Sequence, residues 1–515
     1  MSTAVATGGR RQKGEPPGPA SGGCGGPSLQ RLPKACDHST ILAVDPGQAD
    51  SEKTRGPKGN DLLPSLRRRL LSGGLWAFGS RFATAFTAFV TNVLLARLLA
   101  PEDLGAYFLA FSVVSVGSLV ALLGLDQAVV RLLAESVDMK QFGRTRQVLR
   151  RMLVLAGTGA LGVGSAYLLF GRYLDTHLFR APAFAGVTGL VAAWIVVVAL
   201  QLFMAEVFRG LHDIRLASIF FSLGNGVLLT TALVVLWLLT DQVSLSGVLL
   251  LSIGSSLVSA TLAGWLLLRK VSSLPPGGGS PSVEGLGAIL RLAWPLLVMN
   301  VTLVALGQGY VDLWIVGAFR PEGDVAVFGA AARAVMLVVL PVLILNSVVS
   351  PLIAGMHAQG KTGELERALR VAATVATVPT ILTWAAFLVF GGPLLGLLFG
   401  HFYREGAAVL ALLSTGQLAN VLVGACGVAL TMTGHQRLAM LITVGGGSIM
   451  VIGGLALVGP FGITGVAAAT TAGIIVTNVS YWLAVRRKTG MWTHAGLGEL
   501  SYLLRFLANI ASRTR

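Results

Sequence analysis

The chain has few charged residues for its length, and this shortage excludes an ordinary water-soluble protein. Asp, Glu, Lys and Arg make up 12% of the 515 residues, whereas 54% are hydrophobic, and the mean hydropathy is +0.75. Soluble domains usually contain about 25% charged residues. Most of the surface must therefore face something other than water, which indicates a lipid bilayer.

Cysteine is scarce as well, which excludes a disulfide framework. The three cysteines are Cys24, Cys36 and Cys426, and the segment 36–38 lacks the spacing of the usual zinc sites. No cluster of His, Cys or carboxylates with catalytic spacing occurs in the outer loops, which are all short. We therefore expect no metal, no cofactor and no enzymatic activity.

Long apolar runs recur along most of the chain. Each has roughly the 20 residues that an α-helix needs to cross about 30 Å of hydrocarbon. The runs are continuous, whereas the strands of a membrane barrel alternate between apolar and polar residues. The sequence therefore predicts an all-α membrane protein with twelve transmembrane helices. The predicted spans are residues 74–99, 104–125, 147–170, 184–206, 216–239, 245–268, 287–318, 326–350, 368–390, 407–432, 437–458 and 463–485.

The positive charges of the loops indicate the orientation. If the N-terminus lies inside the cell, 32 of the 39 Lys and Arg residues fall in the tails and the inner loops, and four fall in the outer loops. Lys and Arg accumulate in this way on the cytoplasmic side of membrane proteins. We therefore expect both termini in the cytoplasm. The net charge of +16 then indicates contact with anionic membrane lipids rather than with nucleic acid.

The first six spans and the last six have the features of two copies of one unit. The Pro-Glu pair at 101–102 recurs at 321–322, an offset of 220, and the Arg-Leu-Ala triplet at 215–217 recurs at 437–439, an offset of 222. Because each unit has an even number of spans, both copies have the same orientation and form a parallel repeat. Transporters of this kind bind their substrate where the halves meet and rock one half against the other.

These features predict five regions. They are a disordered basic cytoplasmic tail at 1–70, a first six-helix bundle at 71–270, a cytoplasmic linker at 271–286, a second six-helix bundle at 287–488 and a cytoplasmic amphipathic tail at 489–515. The first tail is rich in Gly, Pro and charge, as disordered segments are. In the last region Leu500, Leu503, Leu504 and Leu507 recur at helical spacing, which predicts a helix along the inner membrane surface.

Polar side chains inside the predicted spans are the candidate binding residues. A charge in hydrocarbon costs a few kcal/mol or more, so it usually faces a cavity or a partner. Guanidinium groups are well suited to hold phosphate oxygens. The sequence therefore predicts a cationic central cavity walled by spans one, two, seven and eight. Its predicted residues are Arg81, Asn92, Asn300, Gln308, Tyr310, Asp312, Arg333 and Asn346.

Structural roles are open for the same charges. Asp312 can pair with Arg333 or with Arg81. Arg97 can extend to the lipid headgroups, and Asp126, near the inner end of the second span, can serve packing. We expect contact with substrate for Arg81 and Arg333 ahead of Arg97.

One phosphate-loop pattern lies in surroundings that do not fit a nucleotide site. Residues 355–362 match the pattern letter for letter. Such a loop follows a β-strand and opens a soluble helix, whereas here it lies between two predicted spans. We therefore expect an ion gradient or mass action as the energy source, with Asp312 as the candidate for ion coupling.

Three stretches resemble known proteins. They are 74–107 in and after the first span, 124–131 at the end of the second, and 434–437 before the eleventh. They resemble bacterial polysaccharide (oligosaccharide) flippases of the multidrug/oligosaccharidyl-lipid/polysaccharide exporter superfamily, which also includes lipid II flippases. The resemblance implies a MATE-like transporter fold. It also implies that the protein turns a polyprenyl-diphosphate-linked oligosaccharide from the inner to the outer leaflet of the bacterial inner membrane, for surface polysaccharide biosynthesis.

The resemblance also implies basic residues in the central cavity, and Arg81 and Arg333 are the positions here that match. Lipid II flippases generally have fourteen spans, and the chain has room for only twelve, which disfavours that branch. The implied partners are a lipid-linked oligosaccharide, membrane lipids and other polysaccharide assembly proteins.

Two other functions stay open. A cation-coupled multidrug antiporter of the same superfamily would favour carboxylates in the cavity, whereas the spans contain three arginines and one clear aspartate. A polytopic glycan ligase or acyltransferase would need an exposed acid or base, which usually lies in a large outer loop. The outer loops of this chain are short.

Overall fold

The computed structural model describes residues 62–496 and 498, with short gaps. The gaps are 180, 241–242, 274, 276–284, 286, 288, 290, 292, 295, 298–299, 302–308 and 360. The tail predicted at 1–70, apart from its last residues, lies outside the described residues. The same is true of most of the linker predicted at 271–286 and of the amphipathic helix predicted around Leu500–Leu507.

The described residues fold into helices joined by short connections. The helices are α1 (Leu62–Leu98), α2 (Pro101–Ala121), α3 (Leu125–Asp138), α4 (Phe142–His177), α5 (Pro182–Ala185), α6 (Thr188–Gly210), α7 (Ile214–Ser218), α8 (Gly224–Leu239), α9 (Leu245–Ser272), α10 (Tyr310–Phe319), α11 (Glu322–Ala358), α12 (Thr362–Leu398), α13 (Ala407–Val423), α14 (Cys426–Met432) and α15 (Gln436–Thr489). A π-helical turn at Ile219–Leu223 joins α7 to α8, and a 3-10 turn at His401–Gly406 precedes α13.

Nine helical segments of the described chain are long and apolar enough to cross a membrane. One of them, α15, has 54 residues, and at about 1.5 Å per residue this length is sufficient for two crossings. Its backbone leaves helical geometry at Gly462, where φ is 59°. Helices stand at eleven of the twelve predicted spans, and the seventh is described as a helix at its end, Tyr310–Phe319. The prediction of an all-α membrane protein is therefore confirmed.

Two predicted segments differ from the structure. The second span ends at Ala121, and the chain turns through Gly124, with φ at 79°, into the separate helix α3. The predicted spans leave residues 126–146 as an inner loop, but α3 buries one face through Ala128, Val129 and Leu132. The tenth span is broken at Gly424, with φ at 78°, between α13 and α14.

The start of the predicted C-terminal tail packs into this break. The Thr493 hydroxyl donates to the carbonyl of Val423 at 2.9 Å, and the amide of Ala495 donates to the carbonyl of Leu422 at 2.9 Å. A broken membrane helix leaves carbonyls that need such partners. Residues 491–496 therefore complete the fold of this region.

Helices α2 and α11 cross closely near their first turns, which form the predicted outer end. A Cβ atom at Gly105 would overlap the carbonyl oxygen of Glu322, and one at Gly329 would overlap the ring of Phe108. Small residues allow membrane helices to approach in this way. The contact joins the first predicted bundle directly to the second.

Candidate functional site

A cavity of about 460 Å³ lies between α1, α2, α6 and the segment from the π turn to α8. Helices α10 and α11 contribute one described side chain each, Tyr310 and Arg333. The volume lies within the usual range of about 300–1,000 Å³ for small-molecule sites. The cavity is largely built from the first six spans, with the second six reaching its edge.

Aromatic side chains line the end of the cavity near the start of α2. The ring of Trp194 lies 6.0 Å from the rings of Tyr107 and Phe111, measured between centroids. Phe111 also lies 6.3 Å from Tyr310 in an edge-on arrangement. These distances are typical of stabilising aromatic pairs. The rings therefore form a continuous wall, built from α2, α6 and α10.

Arg333 lies against this aromatic wall. Its guanidinium carbon is 5.3 Å from the ring centroid of Phe108 and 5.7 Å from that of Phe111, within the range of cation–π attraction. Among the described lining residues it is the one with a charged side chain. The ion pairs found within the described residues do not include it. The predicted alternative of an ion pair between Asp312 and Arg333 is therefore wrong.

The opposite end of the cavity is lined by uncharged polar groups. Gln201 is only 3% exposed, and its Nε2 donates to the carbonyl of Phe220 at 3.0 Å. Its Oε1 has no hydrogen-bond partner among the described residues. Ser118, Ser222 and Asn225 line the same end. Phe220 belongs to the π turn, and π-helical turns occur frequently at functional sites.

Three of the predicted site residues line this cavity, namely Asn92, Tyr310 and Arg333. The amide nitrogen of Asn92 donates to the carbonyl of Ala88 one turn earlier, at 2.6 Å. The backbone of Arg81 lies in α1, which forms one wall; its side chain and the whole of Gln308 lie outside the described residues.

Three other predicted residues lie elsewhere. Asp312 is 2% exposed and meets the Thr470 hydroxyl of α15, and its Oδ1 has no hydrogen-bond partner within the described chain. Asn300 donates to the Asp126 carboxylate at 2.8 Å, which ties the seventh predicted span to α3. Asn346 is half-buried in α11 and is not among the described lining residues.

Arg97 has a structural role at the end of α12. Its Nε donates to the carbonyl of Leu398 at 3.1 Å, and a second nitrogen donates to the carbonyl of Leu397. These are the last carbonyls of α12, where a positive charge satisfies free acceptors and opposes the helix dipole.

Sequence reasoning missed the walls formed by spans four and five. Trp194 and Gln201 come from α6, and Ser222 and Asn225 come from the π turn and α8. A charged side chain within a span marks a candidate site, whereas these residues are neutral. Two amides within apolar spans were the available signal. No group of three or more potential metal ligands occurs in the part of the chain that the structure describes.

Known proteins with the same fold are membrane transporters and flippases. An inward-facing multidrug resistance MATE family transporter of the MOP superfamily matches with a TM-score of 0.65 and 17% identity, over 79% of this chain and 94% of that chain. Lipid II flippase MurJ in an inward closed conformation matches with a TM-score of 0.57 and 13% identity, over 80% and 87%. A MOP superfamily transporter from Pyrococcus furiosus matches with a TM-score of 0.54 and 16% identity, over 82% and 95%. These likenesses show a MATE-like transporter fold.

In sequence, no curated protein matches the chain. The model of the family described as polysaccharide biosynthesis protein matches residues 70–357, which is more than half of the chain and includes all the described residues that line the cavity. The protein is therefore a multi-pass membrane protein that belongs to the polysaccharide biosynthesis protein family.

Proposed function

We propose that the protein is a flippase that moves an oligosaccharide linked to polyprenyl diphosphate across the bacterial inner membrane by alternating access, for surface polysaccharide biosynthesis. The observation that carries the proposal is the cavity, which has one half-buried cation, Arg333, against an aromatic wall and uncharged polar groups at the other end. Family membership supports a role in polysaccharide biosynthesis. The fold supports transport rather than enzymatic chemistry.

Arg333 suits the diphosphate of such a substrate. A guanidinium group keeps its charge at every physiological pH and offers several donors in one plane, which match phosphate oxygens. Without a carboxylate partner in the described cavity, its charge makes the site positive and attractive to an anion. Arg81 is the proposed second cation, because α1 forms one wall of the cavity.

The borders of the cavity suit a lipid-linked substrate. Phe221 lines the cavity and is also 44% exposed, so the cavity adjoins the surface where the π turn and α8 face lipid. A diphosphate-linked sugar cannot cross hydrocarbon unaided, because its charge and hydroxyls would lose their hydration. The polyprenyl tail can stay in the bilayer throughout, while the cavity shields the head group.

From the loop charges, we propose that both termini lie in the cytoplasm. We also propose that Asp312 binds the ion that drives transport. Asp312 is buried in the second set of spans, and its Oδ1 has no partner within the described residues, so a proton or a metal cation has an acceptor there.

Among the alternatives, a drug–cation antiporter is disfavoured because Arg333 would repel a cationic drug. A ligase or acyltransferase is disfavoured by the transporter fold.

The test is complementation of a strain from which the gene has been deleted. Deletion is expected to stop surface glycan display and to cause lipid-linked oligosaccharide to accumulate on the inner leaflet. Arg333→Ala should reduce export about 10-fold to 100-fold, the cost of losing hydrogen bonds to a charged group, and Arg333→Lys should restore part of it.

Arg320→Ala is the matched control, because Arg320 pairs with Asp324 at 2.7 Å and is exposed. It should leave export unchanged. If Arg333→Ala is produced at the wild-type level and exports glycan normally, Arg333 does not hold the substrate. If deletion causes no lipid-linked sugar to accumulate, the proposed function is wrong.

A further inference from the structure

Gln201 has an arrangement that a purely structural glutamine does not need. Its Nε2 donates a hydrogen bond to the Phe220 carbonyl at 3.0 Å. This bond distinguishes the nitrogen of the side-chain amide from its oxygen. The remaining acceptor, Oε1, is buried and has no partner among the described residues, although the residue lines an open cavity. A buried acceptor without a donor costs free energy. Because the residue lines the cavity, a ligand that contacts it there can supply the missing donor to Oε1 once the side chain turns toward the ligand.

The Gln201 end of the cavity lies well apart from Arg333. Arg333 lies against Phe108 and Phe111 of α2, and Ser118 lines the polar end further along the same helix. Seven to ten residues at 1.5 Å each separate these positions by about 10–15 Å. Along α6, Trp194 and Gln201 are seven residues apart, or about 10 Å. A ligand that binds with one group at each end would therefore have room for one or two sugar rings between the two groups.

The chemistry of the polar end favours hydroxyl groups over other ligands. Its described polar side chains, Ser118, Gln201, Ser222 and Asn225, are all uncharged and include both donors and acceptors. A phosphate would require a cation, and an alkyl chain would leave these groups without partners. Sugar hydroxyls can both donate and accept, and the amide and hydroxyl groups here match that capacity.

We infer that Gln201, with Ser222 and Asn225, forms a sugar-binding subsite at the end of the cavity opposite Arg333, and that Gln201 Oε1 accepts a hydrogen bond from a sugar hydroxyl. This inference rests on the proposed flippase function and deepens it. Arg333 binds the diphosphate, and the Gln201 subsite binds the attached sugar. The π turn supports the subsite, since its Phe220 carbonyl holds the glutamine amide in place.

The test compares two lipid probes that differ only in the sugar. Purified full-length protein in lipid nanodiscs is titrated with undecaprenyl diphosphate and with undecaprenyl diphosphate carrying N-acetylglucosamine. The wild type should bind the sugar-bearing probe more tightly. Gln201→Leu should lose about threefold to tenfold of its affinity for that probe, the usual effect of one hydrogen bond, and keep its affinity for the bare diphosphate. Arg333→Ala should weaken binding of both probes.

Two further variants separate recognition from folding. Gln417→Leu removes a half-buried amide from α13, which bonds Asn420 at 3.0 Å and does not line the cavity; it should bind both probes as the wild type does. Ser222→Ala leaves Gln201 intact and should weaken only the sugar-bearing probe, by about twofold to fivefold. Unchanged affinity for the bare probe shows that each variant is folded.

The outcomes are distinct. If Gln201→Leu weakens both probes equally, or neither, the inference is overturned and Gln201 only supports the π turn or holds a water molecule. If the wild type does not distinguish the two probes, the polar end does not read sugar, while the flippase proposal survives. If the wild type binds neither probe, the proposed function itself fails, and the subsite fails with it.

Discussion

The first and second sets of six spans differ most in where their helices are irregular. In the first set, the fifth span contains the π turn at Ile219–Leu223, which borders the cavity. In the second set, the tenth span breaks at Gly424, and the chain segment 491–496 fills the break. One irregularity therefore opens space for a ligand, whereas the other is closed by the protein itself. We interpret the first set as the ligand-holding part.

The last two spans of each set show the same contrast. In α15, the two arms approach so closely that a Cβ atom at Gly446 would overlap the hydroxyl of Thr477. The matching helices α8 and α9 meet through the side chains of Asn225 and Ser256, at 3.4 Å. Glycine brings the two arms of α15 together, whereas polar side chains meet between α8 and α9.

The largest predicted effect concerns the contact that joins the two sets. Gly105→Ala would push a methyl group into the Glu322 carbonyl, which is backbone and cannot rotate away. We expect it to lower the free energy of unfolding by about 1–3 kcal/mol, as overpacking does. Gly162→Ala is the same change on α4, where a Cβ meets nothing within 4 Å. It should be neutral or stabilising by up to about 1 kcal/mol. Thermal unfolding of the purified variants measures both, and equal stability would contradict the close crossing.

The sequence predicts a membrane feature when the wrong residue there would cost free energy in hydrocarbon, and it misses features that have no such cost. Hydropathy predicts the spans because every membrane helix must be apolar over its length. A charge in hydrocarbon is costly enough to mark Arg333 as a candidate, and it does line the cavity. Neutral residues such as Trp194 and Gln201 carry no such cost. Only packing shows that their face of α6 lines the cavity.

The same limit applies to Asp312 and to α3. Burial of a carboxylate predicts a polar surrounding, and the cavity was the natural choice, but Asp312 lies against Thr470 instead. In α3, the apolar residues are spaced among charges, and the predicted loop became an amphipathic helix once Gly124 had turned the chain. The role of Arg81 stays a prediction.

A second prediction sharpens the comparison at matched positions. Asn92 and Asp312 stand at the repeat offset of 220, and only Asn92 of the two is among the described lining residues. If Asp312 couples transport to an ion, Asp312→Asn should abolish the response to a gradient and preserve binding of the lipid probe. A gradient of one pH unit supplies about 1.4 kcal/mol per proton, so it can shift the distribution of the lipid between the leaflets by roughly tenfold for each proton that is coupled.

The measurement is flux of a fluorescent lipid-linked sugar in proteoliposomes, with and without an imposed proton or sodium gradient. Asp324→Asn is the control, because that carboxylate pairs with Arg320 outside the buried region. It should respond to the gradient as the wild type does. A gradient response that persists in Asp312→Asn would remove Asp312 from the coupling mechanism.

The smallest predicted effect compares the turns before the fifth and eleventh spans. Asp213 begins α7 and accepts from the amide of Leu216 at 3.2 Å and from Lys270 at 2.6 Å. The matching residue at the offset of 222 is His435, whose side chain makes no capping bond to α15. The turn before the fifth span is therefore stabilised by the ion pair of Asp213 and Lys270, whereas His435 makes no such capping bond before the eleventh span.

This difference should depend on pH. Partial burial acts to raise the pKa of Asp213, but the hydrogen bonds from Lys270 and the Leu216 amide outweigh it, so the pKa lies below its usual value. A lowered pKa stabilises the fold above the unfolded value of about 3.9, and this stability is lost as the pH falls through the folded value. Asp213→Asn keeps a capping oxygen. It should lower the free energy of unfolding by less than about 1 kcal/mol at pH 7, because the pair of Asp213 and Lys270 is partly exposed. The gap in unfolding free energy between Asp213→Asn and the wild type should shrink below about pH 4. A deficit of Asp213→Asn that stayed constant down to pH 3 would mean that the carboxylate acts through shape rather than charge.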